Sequence, residues 1–169
     1  MAAITTIGAV AASLVVGASP AHAYGTLIVR YAVVDTDNCA RLAGSLSVSA
    51  QGDYCVLNDS ADDTFFHKDP GGVAIKVEEH DSNGMVAKQE FHPYGETLWV
   101  YDTRNDGDTV YTDVYANGFY GPYAPPGTSN TIDFAKVNLD FPEGRSIRLD
   151  VYDDAGPADL ITSVGGGVA

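Results

Sequence analysis

From Thr26 onward, apolar and polar side chains alternate with a period of two, or run in short apolar blocks cut by Gly, Asn and Asp. Almost no stretch carries the i, i+3, i+4, i+7 spacing of an amphipathic helix, so the pattern predicts an all-β chain. It predicts strands over 26–34, 45–50, 53–57, 73–80, 85–92, 97–103, 109–116, 132–141, 145–152 and 160–164. Some 8–10 short strands in one domain pack as an antiparallel β-sandwich, with a closed barrel as the alternative.

Three turns share one chemistry. Ser82-Asn83-Gly84, Asn105-Asp106-Gly107 and Pro142-Glu143-Gly144 each place Gly third between two alternating runs. A three-residue loop with Gly in the left-handed position closes a hairpin through a type I turn and a G1 bulge. The first hairpin pairs Ile75 with Phe91, Lys76 with Glu90 and Glu78 with Lys88, and sets His80 opposite Val86. The second pairs Arg104 with Asp108, Tyr101 with Tyr111 and Leu98 with Val114. The third pairs Leu139 with Ile147, Val137 with Leu149 and Lys136 with Asp150. In all three, apolar meets apolar on one face and opposite charges meet on the other, worth roughly 0.2–1 kcal/mol per pair. The apolar phase slips between Phe134 and Val137, which predicts a β-bulge near Ala135.

Residues 1–23 are a different kind of sequence. They contain no Asp, Glu, Lys or Arg, carry an apolar run from Ile7 to Ala18, and end in Ala21-His22-Ala23. This is a secretory signal peptide with an A-x-A cleavage site, lacking only a basic n-region. The run is too short for a membrane span, which needs about 20 apolar residues. The expected mature protein is a single domain, 24–169, secreted to the extracellular space. In that compartment Cys39 and Cys55 read as a disulfide, since neither a C-x-x-C motif nor an adjacent His suggests a redox or metal pair.

Composition narrows the partners. Nine Lys and Arg against 23 Asp and Glu give a net charge of −14. Nucleic acid and anionic lipid surfaces repel such a chain, and membrane insertion is not expected. The expected partner is an extracellular protein or a glycan.

The acidic residues recur in loops: Asp35 and Asp37; Asp59, Asp62 and Asp63; Asp102, Asp106 and Asp108; Asp153, Asp154 and Asp159. Calcium takes carboxylates from several loops at one end of a sandwich, so these form a candidate calcium set beside the plain reading of a solvated rim. The 102–113 segment fails as an EF-hand loop because Arg104 occupies loop position three, where a ligand oxygen is required. Residues 149–161 resemble the last calcium loop of C2 domains, but with Asp153 as first ligand the second position is Ala155. No cofactor other than calcium is suggested. His67, His80 and His92 lack a zinc motif, and no nucleophile motif is present, so a non-enzymatic protein is expected. The segment 117–127, Asn-Gly-Phe-Tyr-Gly-Pro-Tyr-Ala-Pro-Pro-Gly, reads as a stiffened loop that presents Phe119, Tyr120 and Tyr123 to a partner or folds them over the sandwich end.

The stretch 91–108, with its Gly-Glu-Thr-Leu-Trp-Val-Tyr-Asp run ahead of an Asp-Gly turn, and Asn138-Leu-Asp-Phe-Pro-Glu-Gly144 resemble small secreted proteins of actinobacterial type. The resemblance covers about the second half of the chain and implies secretion and a β-sandwich, with no catalytic residue. Together these features predict a secreted, non-enzymatic binding or surface-associated module. A calcium-dependent, C2-like module and a secreted hydrolase inhibitor are the alternatives.

Overall fold

A computed structural model describes residues 24–127 and 130–169, and the expected signal peptide lies outside the described residues. The chain is all-β and antiparallel. Its strands are β1 (Ile28–Asp35), β2 (Ala40–Gly44), β3 (Ser49–Gln51), β4 (Tyr54–Leu57), β5 (Thr64–His67), β6 (Val73–Asp81), β7 (Gly84–His92), β8 (Thr97–Asp102), β9 (Tyr111–Tyr115), β10 (Phe119–Tyr123), β11 (Asp133–Asn138), β12 (Ser146–Tyr152) and β13 (Leu160–Val168). Tyr24, the expected first residue of the mature chain, is already part of the core.

The large sheet has two halves. One runs β10-β9-β12-β13 and the other β2-β1-β6-β7-β8-β11. They are joined by a single bridge, Val168 to Val73. The halves fold onto each other in sandwich fashion around one core, to which Ile75, Phe91 and Leu98 contribute from one side and Val114, Leu149 and Val164 from the other. Each such side chain contributes roughly 1.5–3 kcal/mol on burial.

A third layer covers the outside. The small sheet β3-β4-β5 packs on the outer face of β1 and β6 through Leu57 and Phe66 against Ala32, Val34 and Ala74. The Cys39–Cys55 disulfide lies inside this second core and ties the small sheet to the β1–β2 connection, as export chemistry predicts. Successive residues of β6 therefore enter two different cores, which buries it on both faces over most of its length.

Only the first of the three expected hairpins forms. β6 and β7 pair Ile75 with Phe91, Lys76 with Glu90 and Glu78 with Lys88; a register shift after Glu79 then puts His80 opposite Met85, not Val86. β8 does not pair with β9. Its neighbours are β7 and β11. Arg104 turns away from Asp108 and clamps Asp81 with both terminal nitrogens, at 2.6 and 2.5 Å, while Thr103 N donates to Val86 O. These bonds carry the chain across the end of the core to the opposite half. β11 likewise pairs with β8, and β12 with β9 and β13. The 142–144 turn still forms, with Arg145 N donating to Pro142 O, but Gly144 N and Arg145 O bond to Ala169. Gly84, Gly107 and Gly144 all adopt the left-handed φ that the turn pattern requires.

The expected bulge at Ala135 is absent. β11 runs in unbroken register with β8, and Phe134 points outward, half exposed, so the apolar phase slip marks an outward aromatic. Three strands were not legible as such. β2 has five exposed residues and no alternation, β5 is four residues long, and β10 is the 117–127 segment itself.

One inward position is polar. Glu79 follows Ile75 and Val77 on the core face of β6 and is fully buried. Its Oε2 accepts from Gln89 Nε2 at 3.1 Å, while Glu79 Oε1 and Gln89 Oε1 have no partner. Burial pushes this carboxyl up to about 8. A protonated Glu79 supplies the donor that the two acceptor oxygens lack.

Candidate ligand-binding cleft

The outer face of β6-β7-β8-β11 is built from two cross-strand rows. One runs Lys76, Glu90, Trp99, Lys136; the other runs Glu78, Lys88, Tyr101, Phe134. The alternation that sends Ile75, Phe91, Leu98 and Val100 inward dictates both rows. On β6 and β7 this face is not the solvated surface that its polarity suggests. The 58–63 segment and β5 cover it, and Lys76, Lys88, Glu78 and Glu90 are all buried.

The cover is held by its own turn. Asp59 Oδ1 accepts from the backbone N–H of Ala61, Asp62 and Asp63, and Asp63 Oδ1 accepts from Asp59 N. That leaves Asp59 Oδ2 aimed at both ammonium groups, 2.6 Å from Lys76 Nζ and 2.9 Å from Lys88 Nζ. Lys88 also bonds Asp62 at 2.5 Å and Glu90 at 2.9 Å, and lies 4.4 Å from the centre of the Tyr101 ring. Lys76 bonds Glu78 at 2.9 Å, and His80 and His92 bond Glu78 and Glu90 at the same distance. Thr64 Oγ1 donates to Glu90 Oε1 at 2.5 Å.

Protonation follows from this wiring. Burial alone would raise the Asp59 carboxyl, but the hydrogen bonds and charges of Lys76 and Lys88 outweigh it and hold it far below the usual carboxylate range. Burial acts the same way on Glu90, and His92, Lys88 and Thr64 together keep it lowered. Burial would lower the Lys88 ammonium, but Glu90, Asp62 and Asp59 raise it. Asp59, Asp62 and Glu90 bring oxygens within 4.8 Å of one another, the spacing of a metal site. The Lys88 ammonium already bonds all three, so a divalent ion would have to displace it from a buried position. We read the group as a structural ion cluster.

Beside this cluster the face opens into a cleft of about 460 Å³. One wall carries Tyr54, Phe65 and Tyr94, all exposed, with His67 stacked on Tyr94 at 4.2 Å between ring centres. The other wall carries Trp99 and Tyr101, which Phe134, outside the cleft lining, joins in a ladder of near-parallel rings. Trp99 stacks on Phe134 at 5.9 Å and 13°, and Tyr101 on Phe134 at 5.5 Å and 24°. His92 joins Trp99 at 5.4 Å. Asp62, Asp63, Thr97 and Lys136 supply polar groups around these rings, and Lys136 Nζ lies 4.9 Å from the centre of the Trp99 ring.

The residues singled out from sequence fall elsewhere. Phe119, Tyr120 and Tyr123 are not on a loop; they form β10, an edge strand paired with β9. Phe119 and Tyr120 are exposed, Tyr120 packs edge-on against Phe141, and Tyr123 packs on the main core. The candidate calcium set does not converge at one end. Asp35 pairs with Val73 at the start of β6, whereas Asp102 pairs with Ala87 near its far end. Ala87 in turn pairs with Glu79, so six residues of strand separate the two positions, roughly 20 Å. Asp35 accepts from Asp37 N in a local turn, and Asp37 accepts from Gly71 N, 34 residues away. The charges of Asp106 and Asp108 act on Asp102 and those of Asp153 and Asp154 on Asp108, and the backbone N–H of Asp153 donates to Asp159 O.

The cleft rings were missed for a definable reason. Trp99 and Tyr101 alternate with Leu98 and Val100, so both faces of β8 look apolar and neither is marked as exposed, and Phe134 reads as one inward run with Ile132. A larger open groove, about 770 Å³, borders the 142–148 turn, β12 and β13. Its Arg148 is engaged by Asp150 and lies over the Tyr115 ring.

No protein-family profile, curated protein or solved structure matches this chain. Among the described residues, no helix is long and apolar enough to cross a membrane.

Proposed function

We propose that this is a secreted, non-catalytic binding module that holds an extracellular glycan in the aromatic cleft. The carrying observation is the pair of ring walls, Trp99 and Tyr101 on one side and Tyr54, Phe65 and Tyr94 on the other, with Asp62, Asp63 and Glu90 among the lining groups. Sugar rings offer C–H faces that pack on aromatic faces and hydroxyls that bond carboxylates, and a mostly apolar cleft with a few placed polar groups is the general form of such sites. The rings are fixed by strand register and mutual stacking, so little ordering entropy opposes binding. A cationic ligand fits less well, because Lys136 and Lys88 already lie over Trp99 and Tyr101.

The protonation pattern supports binding over hydrolysis. A glycosidase acid needs a carboxyl with a raised pKa, and Glu90 is lowered and engaged on both oxygens. The disulfide and the leader-like sequence of 1–23 support an extracellular location.

The test is retention on a panel of soluble and insoluble polysaccharides by affinity electrophoresis and pull-down. The wild type should be retained by at least one, and Trp99→Ala and Tyr94→Ala should lose that retention. Equal retention of the variants would overturn the assignment of the cleft. Release of reducing ends from a bound polysaccharide would overturn the non-catalytic part.

A further inference from the structure

The ion cluster under the 58–63 cover holds one carboxyl in the geometry of an acyl-transfer site. Asp59 Oδ1 accepts three backbone N–H groups, from Ala61 at 2.8 Å and from Asp62 and Asp63 at 3.2 Å each. Donors that converge on one carboxyl oxygen form an oxyanion hole, built before any further charge develops there. The other oxygen, Oδ2, lies 2.6 Å from Lys76 Nζ, and Lys88 Nζ and Thr64 Oγ1 also donate to it, at 2.9 and 3.4 Å.

A base stands beside the Lys76 amine. Glu78 is 3% exposed, and its Oε1 lies 2.9 Å from Lys76 Nζ yet accepts no hydrogen bond, while His80 holds Oε2 at 2.9 Å. The two lysines are not equivalent. Lys88 is held by four acceptors, Asp59, Asp62, Asp63 O and Glu90, which keep it an ammonium. Lys76 has only Asp59 and Glu78. The side chains of Lys76, Lys88 and Asp59 are at most 1% exposed, so bulk solvent is kept from the pair.

We propose that Lys76 and Asp59 condense to an intramolecular amide that staples the 58–63 cover to β6. Glu78 takes a proton from the Lys76 ammonium, which frees the nitrogen lone pair. Nζ then bonds to Asp59 Cγ, and charge moves onto Oδ1 among its three N–H donors. The Cγ–Oδ2 bond breaks, and Oδ2 leaves as water with two protons that came from the ammonium through Glu78. One ammonium and one carboxylate become one amide and one water, with no net change in charge and no oxidant. A carboxylate resists nucleophiles, and the donors on both of its oxygens offset that resistance. Fixed proximity removes the entropic barrier of a bimolecular reaction. The amide also replaces two buried charges, whose desolvation weighs against the ion pair. Lys88 keeps Asp62, Asp63 O and Glu90 when Oδ2 departs. This staple is independent of the glycan reading and stands or falls by itself.

The experiment is mass spectrometry of the purified, folded protein, denatured and reduced before analysis. The intact mass should be one water below that of the sequence, counted from the N-terminus found. After trypsin, peptide 42–68, which holds Asp59, and peptide 69–88, uncut at Lys76, should travel as one species with the bond placed at those two residues. Asp59→Ala and Lys76→Met should each restore the full mass, and Lys88→Arg should keep the bond. Glu78→Gln, refolded from denaturant, should retain the full mass over the time in which the wild type loses water. A wild-type chain of full mass would overturn the proposal. So would a water lost with the two peptides still separate, as an imide at Asp106-Gly107 would give, or a bond placed at Lys88. Equal rates for Glu78→Gln and wild type would overturn the role of Glu78. The wild-type digest decides the bond even if a variant fails to fold.

Discussion

Glu79 is a buried acid in an otherwise apolar row, and its cost should appear as a pH dependence of stability. Its carboxyl rises from 4.5 when free to about 8 when folded, because burial penalises the charge by more than the single hydrogen bond from Gln89 offsets. Glu78, its chain neighbour, adds like-charge repulsion, and the residues opposite it on β1 and β7, Val29 and Ala87, carry no charge. The folded state therefore holds a proton that the unfolded state has lost across this window. Stability falls as pH rises: the contribution is fully present below about 4.5, and declines by about 1.4 kcal/mol per pH unit until about 8. The whole change comes to about 5 kcal/mol, a large share of the 5–15 kcal/mol that holds a typical domain together. Glu79→Gln keeps the shape and the bond to Gln89 but cannot ionise. Urea unfolding of both proteins at about pH 5, 6.5 and 8, at constant ionic strength, gives the difference between them with all other titrating groups held in common. That difference should be small near pH 5 and favour Glu79→Gln by several kcal/mol near pH 8. A difference independent of pH would refute the reasoning.

Three further outcomes follow from the packing. Lys88→Met should lower stability by about 3–5 kcal/mol in urea unfolding, since it leaves Asp59, Asp62 and Glu90 facing one another with one ammonium fewer. Reduction of the Cys39–Cys55 bridge, which spans 16 residues, should cost about 3 kcal/mol, read as a drop in the urea midpoint under reducing conditions. On β10, Phe119→Ala should change stability by less than about 0.5 kcal/mol, whereas Tyr123→Ala, which removes a ring packed on the core, should cost about 1–2 kcal/mol; equal losses would contradict the exposed edge.

The sequence by itself determined what depends on near neighbours along the chain. Period-two alternation marks a strand because consecutive side chains must leave opposite faces, and most of the strands were legible from it. The three turn glycines were legible because a left-handed φ is a property of one residue. The β6–β7 pairing was legible because both strands and their turn are contiguous, and its charged pairs fit one register. The disulfide followed from two cysteines read behind a leader-like segment.

Partner choice between distant strands was decided only in three dimensions. The pairings expected for β8–β9 and β11–β12 satisfied every local rule, yet those strands lie in opposite halves of the sandwich. All of them present apolar faces to one core, so apolar matching holds for many partners and selects none. Nonlocal bonds decide: Arg104 with Asp81 carries the chain over the core end, and Ala169 takes up the 144–145 backbone. The candidate cleft was hidden for the same reason. Trp99 and Phe134 become two rungs of one ladder only when β11 returns to pair with β8 across a long separation in sequence. Polarity likewise shows which face of β6 and β7 a charge occupies but not what covers it. Lys76 and Lys88 read as surface residues until Asp59 folds over them, because burial of a charge depends on a partner brought from elsewhere in the chain.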